Sequence, residues 1–286
     1  MEAAVSRART FAGLFLGDAA TRLAFGYLAL VVGVALFAPW IAEFPPLLTG
    51  VGPAFARPGL PYFMGTDDLG RDIFSGVVHG ARVSLGVGVV AATASAFIGV
   101  VMGLVAGYFG GRVDVALMRV TEVFFVIPMV FLAILLVAFF GSGIWNVIFV
   151  IVILSWPATA RLVRGQVLSL KEREFVKAAR VLGEGHVFIM FREILPNTLA
   201  PIIVNGSIQM AQAIVVEAGL SFLGLGDQNL TSWGVMLFRS QRFLMQEAWW
   251  TFVFPGLALF LTVLALNVLA DSLNNILNPR TRHRRA

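Results

Sequence analysis

The chain has no cysteine, three histidines and two lysines among its 286 residues. Without cysteine there is no disulfide, thiolate metal centre or cysteine nucleophile. His79, His186 and His283 stand too far apart in sequence to form a spaced ligand motif. Neither Lys171 nor Lys177 follows a glycine, so the chain lacks a G-x-x-x-x-G-K-[ST] loop. Such a loop needs glycine amides to cradle phosphate and a lysine to reach it. Charge is scarce too: charged residues make up 13% of the chain, against about 25% in soluble domains. Apolar residues reach 58% and the mean hydropathy is +0.87. Collagen, a disordered tail, a disulfide scaffold and an ordinary cytosolic enzyme are excluded.

Long apolar runs are what the chain does have. A helix crosses a bilayer with about 20 apolar residues, and six runs approach or exceed that: Leu23–Ile41, Val83–Ala106, Val115–Phe140, Val147–Leu162, Leu199–Ala218 and Trp249–Ala270. The fold class is therefore all-α, a polytopic membrane protein of about six transmembrane helices. The first run is too long for a signal-peptide core, and Pro39 and Trp40 stand where a cleavage site would lie, so it reads as an uncleaved anchor. Tyr108, Trp145, Trp233, Trp249 and Trp250 fall near span ends, where an aromatic belt would place them.

Basic residues give the orientation. All but five of the 21 Lys and Arg fall on the side holding both termini and the long segment from Arg161 to Pro196. The five exceptions are Arg57, Arg71, Arg82, Arg239 and Arg242. The positive-inside rule puts both termini in the cytoplasm. The terminal run Arg280-Thr-Arg-His-Arg-Arg285 reads as a contact for anionic membrane lipid rather than for nucleic acid. The chain divides into 1–82, an N-terminal segment with the first span and an external stretch, and 83–286, a five-helix transmembrane domain.

Residues 161–196 form a cytoplasmic stretch too long to lack structure. Phe175, Ala178, Ala179 and Leu182 recur at helical spacing and predict one apolar face; Gly183 and Gly185 then break the helix. A second amphipathic run, Val187–Phe191, leads to Pro196 at the start of span five. This reads as a helix–turn–helix on the cytoplasmic surface. It is either a docking handle for a soluble partner or an interfacial helix resting on lipid headgroups.

Glu174, Ala178, Ala179, Gly183 and Leu195-Pro196 resemble the EAA loop of ABC-importer membrane subunits. One position departs: Glu193 stands in an expected isoleucine slot, with Ile194 beside it. Further runs are similar to the C-type permease of dipeptide, oligopeptide and nickel importers. They are Gly65-Thr-Asp-Asp-Leu-Gly-Arg-Asp72, Gly80-Ala-Arg-Val-Ser-Leu85, Ala106-Gly-Tyr-Phe-Gly-Gly111, Ala160-Arg-Leu-Val-Arg-Gly-Gln166, Leu220-Ser-Phe-Leu-Gly-Leu-Gly226, Ser232-Trp-Gly234 and Leu277-Asn-Pro-Arg280.

The resemblance implies a type I ABC-importer fold in a bacterial or archaeal cytoplasmic (inner) membrane. It implies three kinds of partner: a homologous second permease making a heterodimer, two cytoplasmic ABC ATPases, and an extracytoplasmic substrate-binding protein. Glu174, Phe175, Ala178, Ala179, Gly183, Leu195 and Pro196 would couple to the ATPases. ATP and Mg would sit on those partners, with no cofactor, metal or catalytic residue on this chain. The implied cargo is di- or oligopeptide, with nickel, glutathione or another small solute as alternatives.

Other polar features carry two readings each. Asn205, Gln209 and Gln212 share a face of span five, either lining a translocation path or bonding a neighbouring helix. Glu217, near the outer end of that span, reads as a substrate or gate contact, or as an ordinary ion pair or interfacial acid. In the Thr66–Asp72 turn, Thr66 or Asp67 would cap a short helix while Arg71 pairs with a carboxylate; the spacing does not fit a calcium loop. A secondary transporter would need acids buried mid-span, and a membrane-embedded enzyme a cluster of catalytic groups at one depth. Neither pattern is visible.

Overall fold

A computed structural model describes residues 18–277, which are helical apart from loops and one isolated antiparallel bridge between Thr66 and Asp72. Arg7, Arg9, His283 and the basic run from Arg280 to Arg285 lie outside the described residues. The helices of eight residues or more are α1 (Ala19–Leu36), α2 (Ile73–Phe109), α3 (Gly111–Val126), α4 (Met129–Phe140), α5 (Ile144–Leu170), α6 (Glu174–Val181), α7 (Leu195–Phe222), α8 (Trp233–Ser240) and α9 (Trp250–Leu277), with a short turn, Ala38–Ile41, after α1. Five helical runs are long and apolar enough to span a membrane: α1, α2, α5, α9, and α7 with the segment before it. The all-α polytopic expectation holds.

The run Val115–Phe140, expected to form one span, is not a single helix. It is α3 and α4, meeting at a 91° bend. Pro128 at the break has no N–H to donate, and it pushes the preceding residue out of the helical region. Ile127 accordingly sits at φ −92°, ψ 128°. By contrast Pro157 lies inside the unbroken α5.

α2 is the centre of the bundle, packing most extensively on α5 and also on α1 and α7. Its N-terminus is capped by Asp72, whose carboxylate accepts from Ser75 N at 2.8 Å and Ser75 Oγ at 2.6 Å. The cap is therefore Asp72, not Thr66 or Asp67, and the helix it starts is the long α2. Asp67 instead accepts from the amides of Leu69 and Arg71 and pairs with the Arg71 side chain at 2.5 Å, which restrains the turn. Thr66 is tied to Pro53 O and Ala56 N.

The α2–α5 seam is made by Gly99, Gly103 and Gly107, four residues apart and so on one face. A Cβ on Gly103 would lie 2.5 Å from Ala160 O and 2.8 Å from Val163 Cβ. On Gly99 it would meet Trp156 O at 2.7 Å, and on Gly107 Val167 Cβ at 2.7 Å. Small residues let membrane helices approach closely enough for packing to hold them, because lipid supplies no hydrophobic drive between spans.

Nearer its start, α2 meets α8 through Gly76 and Gly80, against which Met236 and Trp233 pack. Trp233 is 1% exposed; its indole donates to Val77 O at 3.0 Å. Trp250 is likewise buried and donates to Thr66 O, and Tyr108 is buried too. Of the five expected belt aromatics, only Trp145 and Trp249 are exposed. The other three bury because each has a neighbouring acceptor or ring that satisfies its polar atom.

The bundle thus has two ends. Residues 171–194 form the loop end, and 42–72 with 223–249 form the opposite end.

Candidate functional site: the coupling loop and the α7 polar face

Helix α6 carries the first half of the loop. Glu174 lies in its first turn, where a carboxylate suits the positive end of the helix dipole. Its side chain is exposed and meets Lys177 Nζ at 3.3 Å, an exposed pair that contributes little. The helix is apolar on two sides. Val176 and Ala179 turn inward, joining a buried cluster with Leu104, Val163, Ile189 and Ile194. Phe175, Ala178, Val181 and Leu182 turn outward, Leu182 being 80% exposed.

The expected single face of Phe175, Ala178, Ala179 and Leu182 is therefore divided, with Ala179 on the bundle and the other three open. Val176, about 100° round the helix from Phe175, sets the inward direction. The outward set remains uncovered by any described residue.

α6 ends in a Schellman motif. Gly183 N bonds Arg180 O at 3.0 Å and Glu184 N bonds Ala179 O at 3.1 Å, with Gly183 at φ +80°. A Cβ there would touch nothing within 4 Å, so glycine is required by conformation alone. Gly183→Ala is expected to lower stability by about 1 kcal/mol, with a matching shift in denaturant midpoint. An unchanged midpoint would show that the turn tolerates a side chain.

The second half differs from the expected separate helix. One turn, His186–Phe188, runs into a π-helix, Ile189–Ile194, and continues without interruption into α7. Pro196 sits in the first turn of α7, where its missing amide removes one bond from the i→i−4 ladder. Asn197 Nδ2 donates to Glu193 O at 2.7 Å, bracing that stretch. Leu195 packs against the cluster that holds Val176. On the neighbouring helices Arg164 makes two bonds to Asp114, at 2.5 and 2.6 Å, tying α5 to α3.

The polar face of α7 straddles the edge of its contact with α5. Asn205 Nδ2 donates to Thr159 Oγ1 at 3.0 Å and Gln209 Nε2 to the same oxygen at 2.7 Å. Gln209 is buried and its Oε1 has no partner among the described residues. Gln212, on the same arc, is exposed. Glu217 makes no ion pair among the described residues and faces the protein interior. It is 1% exposed, and its Oε1 accepts from Ser221 Oγ and Ser232 Oγ, both at 2.7 Å. Its Oε2 has no hydrogen-bond partner among the described residues. Ser232 is also the N-cap of α8, accepting from Val235 N, so this carboxyl fastens α8 to α7. Sequence reasoning missed Thr159, Ser221 and Ser232 as partners. The Ser232-Trp-Gly run stood out only for its resemblance to the permease family, and nothing local pointed it at Glu217.

Residues 99–283 match the family model described as "Binding-protein-dependent transport system inner membrane component". The chain is 40% identical over 250 residues to the dipeptide transport system permease protein DppC of Alkalihalophilus pseudofirmus, covering 87% of this chain and 82% of that one. To the di/tripeptide transport system permease protein DppC of Pseudomonas aeruginosa it is 39% identical, covering 90% and 87%. To the glutathione transport system permease protein GsiD of Escherichia coli it is 44% identical, covering 90% and 85%. An inward-facing structure of the MetNI methionine ABC transporter shares the fold, with a TM-score of 0.56 at 18% identity over 71% of this chain and 94% of that one. With a family match over residues 99–283 and relatives this similar along most of its length, the chain belongs to the inner-membrane components of binding-protein-dependent transport systems.

Proposed function

We propose that this chain is one permease subunit of an ATP-driven importer of di- or oligopeptides, paired with a homologous second permease. Two ABC ATPases dock at the loop end and a substrate-binding protein delivers cargo at the opposite end. The loop end and both termini face the cytoplasm. ATP and Mg are held by the ATPases, since the chain has no phosphate loop of its own. The observation that carries this reading is α6, anchored inward by Val176 and Ala179 and presenting Phe175, Ala178 and Leu182 outward. Glu174 and Gly183 fix its two ends; Leu195 and Pro196 lead its motion into α7.

For the translocation path, Gln212 is the strongest candidate of the four polar residues, because its amide is exposed on a spanning helix and needs water or protein beside it. Asn205 borders the path. Gln209 and Glu217 support it from behind, through Thr159 and through Ser221 and Ser232. Glutathione is the second reading for cargo, favoured by the 44% identity to a permease named for it.

The test is uptake by the complete complex in vesicles, with a labelled dipeptide and labelled glutathione in parallel. Glu174→Lys puts a cation at the positive end of α6 and beside Lys177. It is expected to reduce ATP-dependent uptake at least about tenfold, the scale of roughly 1.4 kcal/mol at a docking contact, while the chain still inserts. Normal uptake in this variant would remove α6 from the coupling role.

A further inference from the structure

The loop end is fastened to the bundle by more than apolar packing. Tyr108, one residue from the end of α2, is buried, and its hydroxyl hydrogen-bonds His186 Nδ1 at 3.0 Å. The guanidinium of Arg180, on α6, lies 5.5 Å from the centre of the Tyr108 ring. His186 also packs edge-on against Phe109, ring centres 5.7 Å apart. One residue earlier on α2, Gly107 O accepts from Lys171 Nζ at 3.1 Å. Thus α6, the turn that starts at His186 and the end of α5 all converge on the last turn of α2.

The cluster around Val176 and Ile189 holds the loop against the bundle, but apolar burial is non-directional and leaves the loop free to slide or roll. A hydrogen bond has a preferred length and angle. Tyr108 and His186 therefore fix the angle of the loop relative to α2. Because α2 is locked to α5 through Gly99, Gly103 and Gly107, a loop held at that angle can move only with both helices.

We propose that Tyr108 and His186 are positioning residues for transport, forming a latch that makes the coupling loop, α2 and α5 move as one body. The stroke from the ATPases then enters the membrane at α2 as well as through the continuous helix into α7. This rests on the reading of α6 as the ATPase-docking element.

The test uses the complete importer in vesicles, following peptide uptake and ATP hydrolysis together. Y108F removes only the hydroxyl. It is expected to leave the ATPases bound and uptake per ATP about fivefold lower, the scale of one lost hydrogen bond. The chain has no cysteine, so the double variant Y108C/H186C can be joined by a short thiol cross-linker and the join confirmed by mass spectrometry. Unlinked, it should behave like Y108F; linked, it should recover uptake per ATP to within about twofold of native.

The latch would be overturned by native coupling in Y108F, by loss of the ATPases in Y108F, or by cross-linking that forms but fails to restore uptake. Failure of the cross-linker to join the two sites would also do so. The native complex is the control for the underlying reading. If it shows no ATP-driven uptake, the permease assignment fails, and the latch with it.

Discussion

Gly103→Leu is expected to destabilise the folded chain by about 3 kcal/mol, the upper part of the usual range for overpacking. A Cβ there would sit 2.5 Å from a backbone oxygen, Ala160 O. Backbone cannot rotate away as a side chain can, so α2 and α5 would have to separate. The matched control is Gly86→Leu on the same helix, where the site is exposed and a Cβ meets nothing within 4 Å; it is expected to cost under about 1 kcal/mol. Denaturation of the purified protein in mild detergent, followed by circular dichroism, reads both. Equal effects from the two substitutions would mean that the seam does not hold the bundle.

Glu217→Ala comes next in size, at about 3 kcal/mol. It leaves Ser221 and Ser232 buried, each 1% exposed, without the acceptor they share. Buried hydroxyls that lose a partner cost more than the bond itself contributed. Glu217→Gln keeps one acceptor oxygen and turns a donor toward the place of the unpartnered Oε2, so its cost should be nearer 1 kcal/mol. Because Ser232 caps α8, the alanine variant should also expose the Asp227–Thr231 turn to protease while the glutamine variant protects it. Equal protection in both variants would show that the Glu217 carboxyl does not hold α8.

The elements that were legible from sequence are those set by local pattern. Each apolar run overlies helix in the structure, although Leu23–Ile41 runs past the end of α1 at Leu36 and Val115–Phe140 covers two helices, and helical spacing around Ala178 placed α6. The 91° bend was not anticipated, although Pro128 in a long apolar run is the usual sign of one. A Pro157 of similar appearance leaves α5 unbroken, which shows why proline alone does not decide. The glycine seam had a signal too, three glycines at four-residue intervals in an apolar helix. Its partner helix did not. The direction in which α6 buries itself, the burial of Trp233 and Trp250, and the clamp of Glu217 on Ser232 depend on contacts between segments far apart in the chain. No local periodicity encodes them, so the buried hydrogen bonds of the Glu217 carboxyl to Ser221 and Ser232 had no signal in the sequence.

α2 has 37 residues, about 56 Å of helix at 1.5 Å per residue, nearly twice the roughly 30 Å of hydrocarbon it crosses. One uninterrupted rod therefore reaches from the Asp72 cap to Tyr108, emerging from the lipid at one end or both. A tilt of only about 5° would displace one tip by about 5 Å relative to the other, by the geometry of a rod this long. Such a lever has no preferred direction of use. If a ligand at the Tyr108 tip shifts its tilt, thermodynamic reciprocity requires that a ligand at the Asp72 tip alter affinity at Tyr108 by the same factor. Arrival of cargo on one side of the membrane would then be sensed on the other before any cargo has crossed.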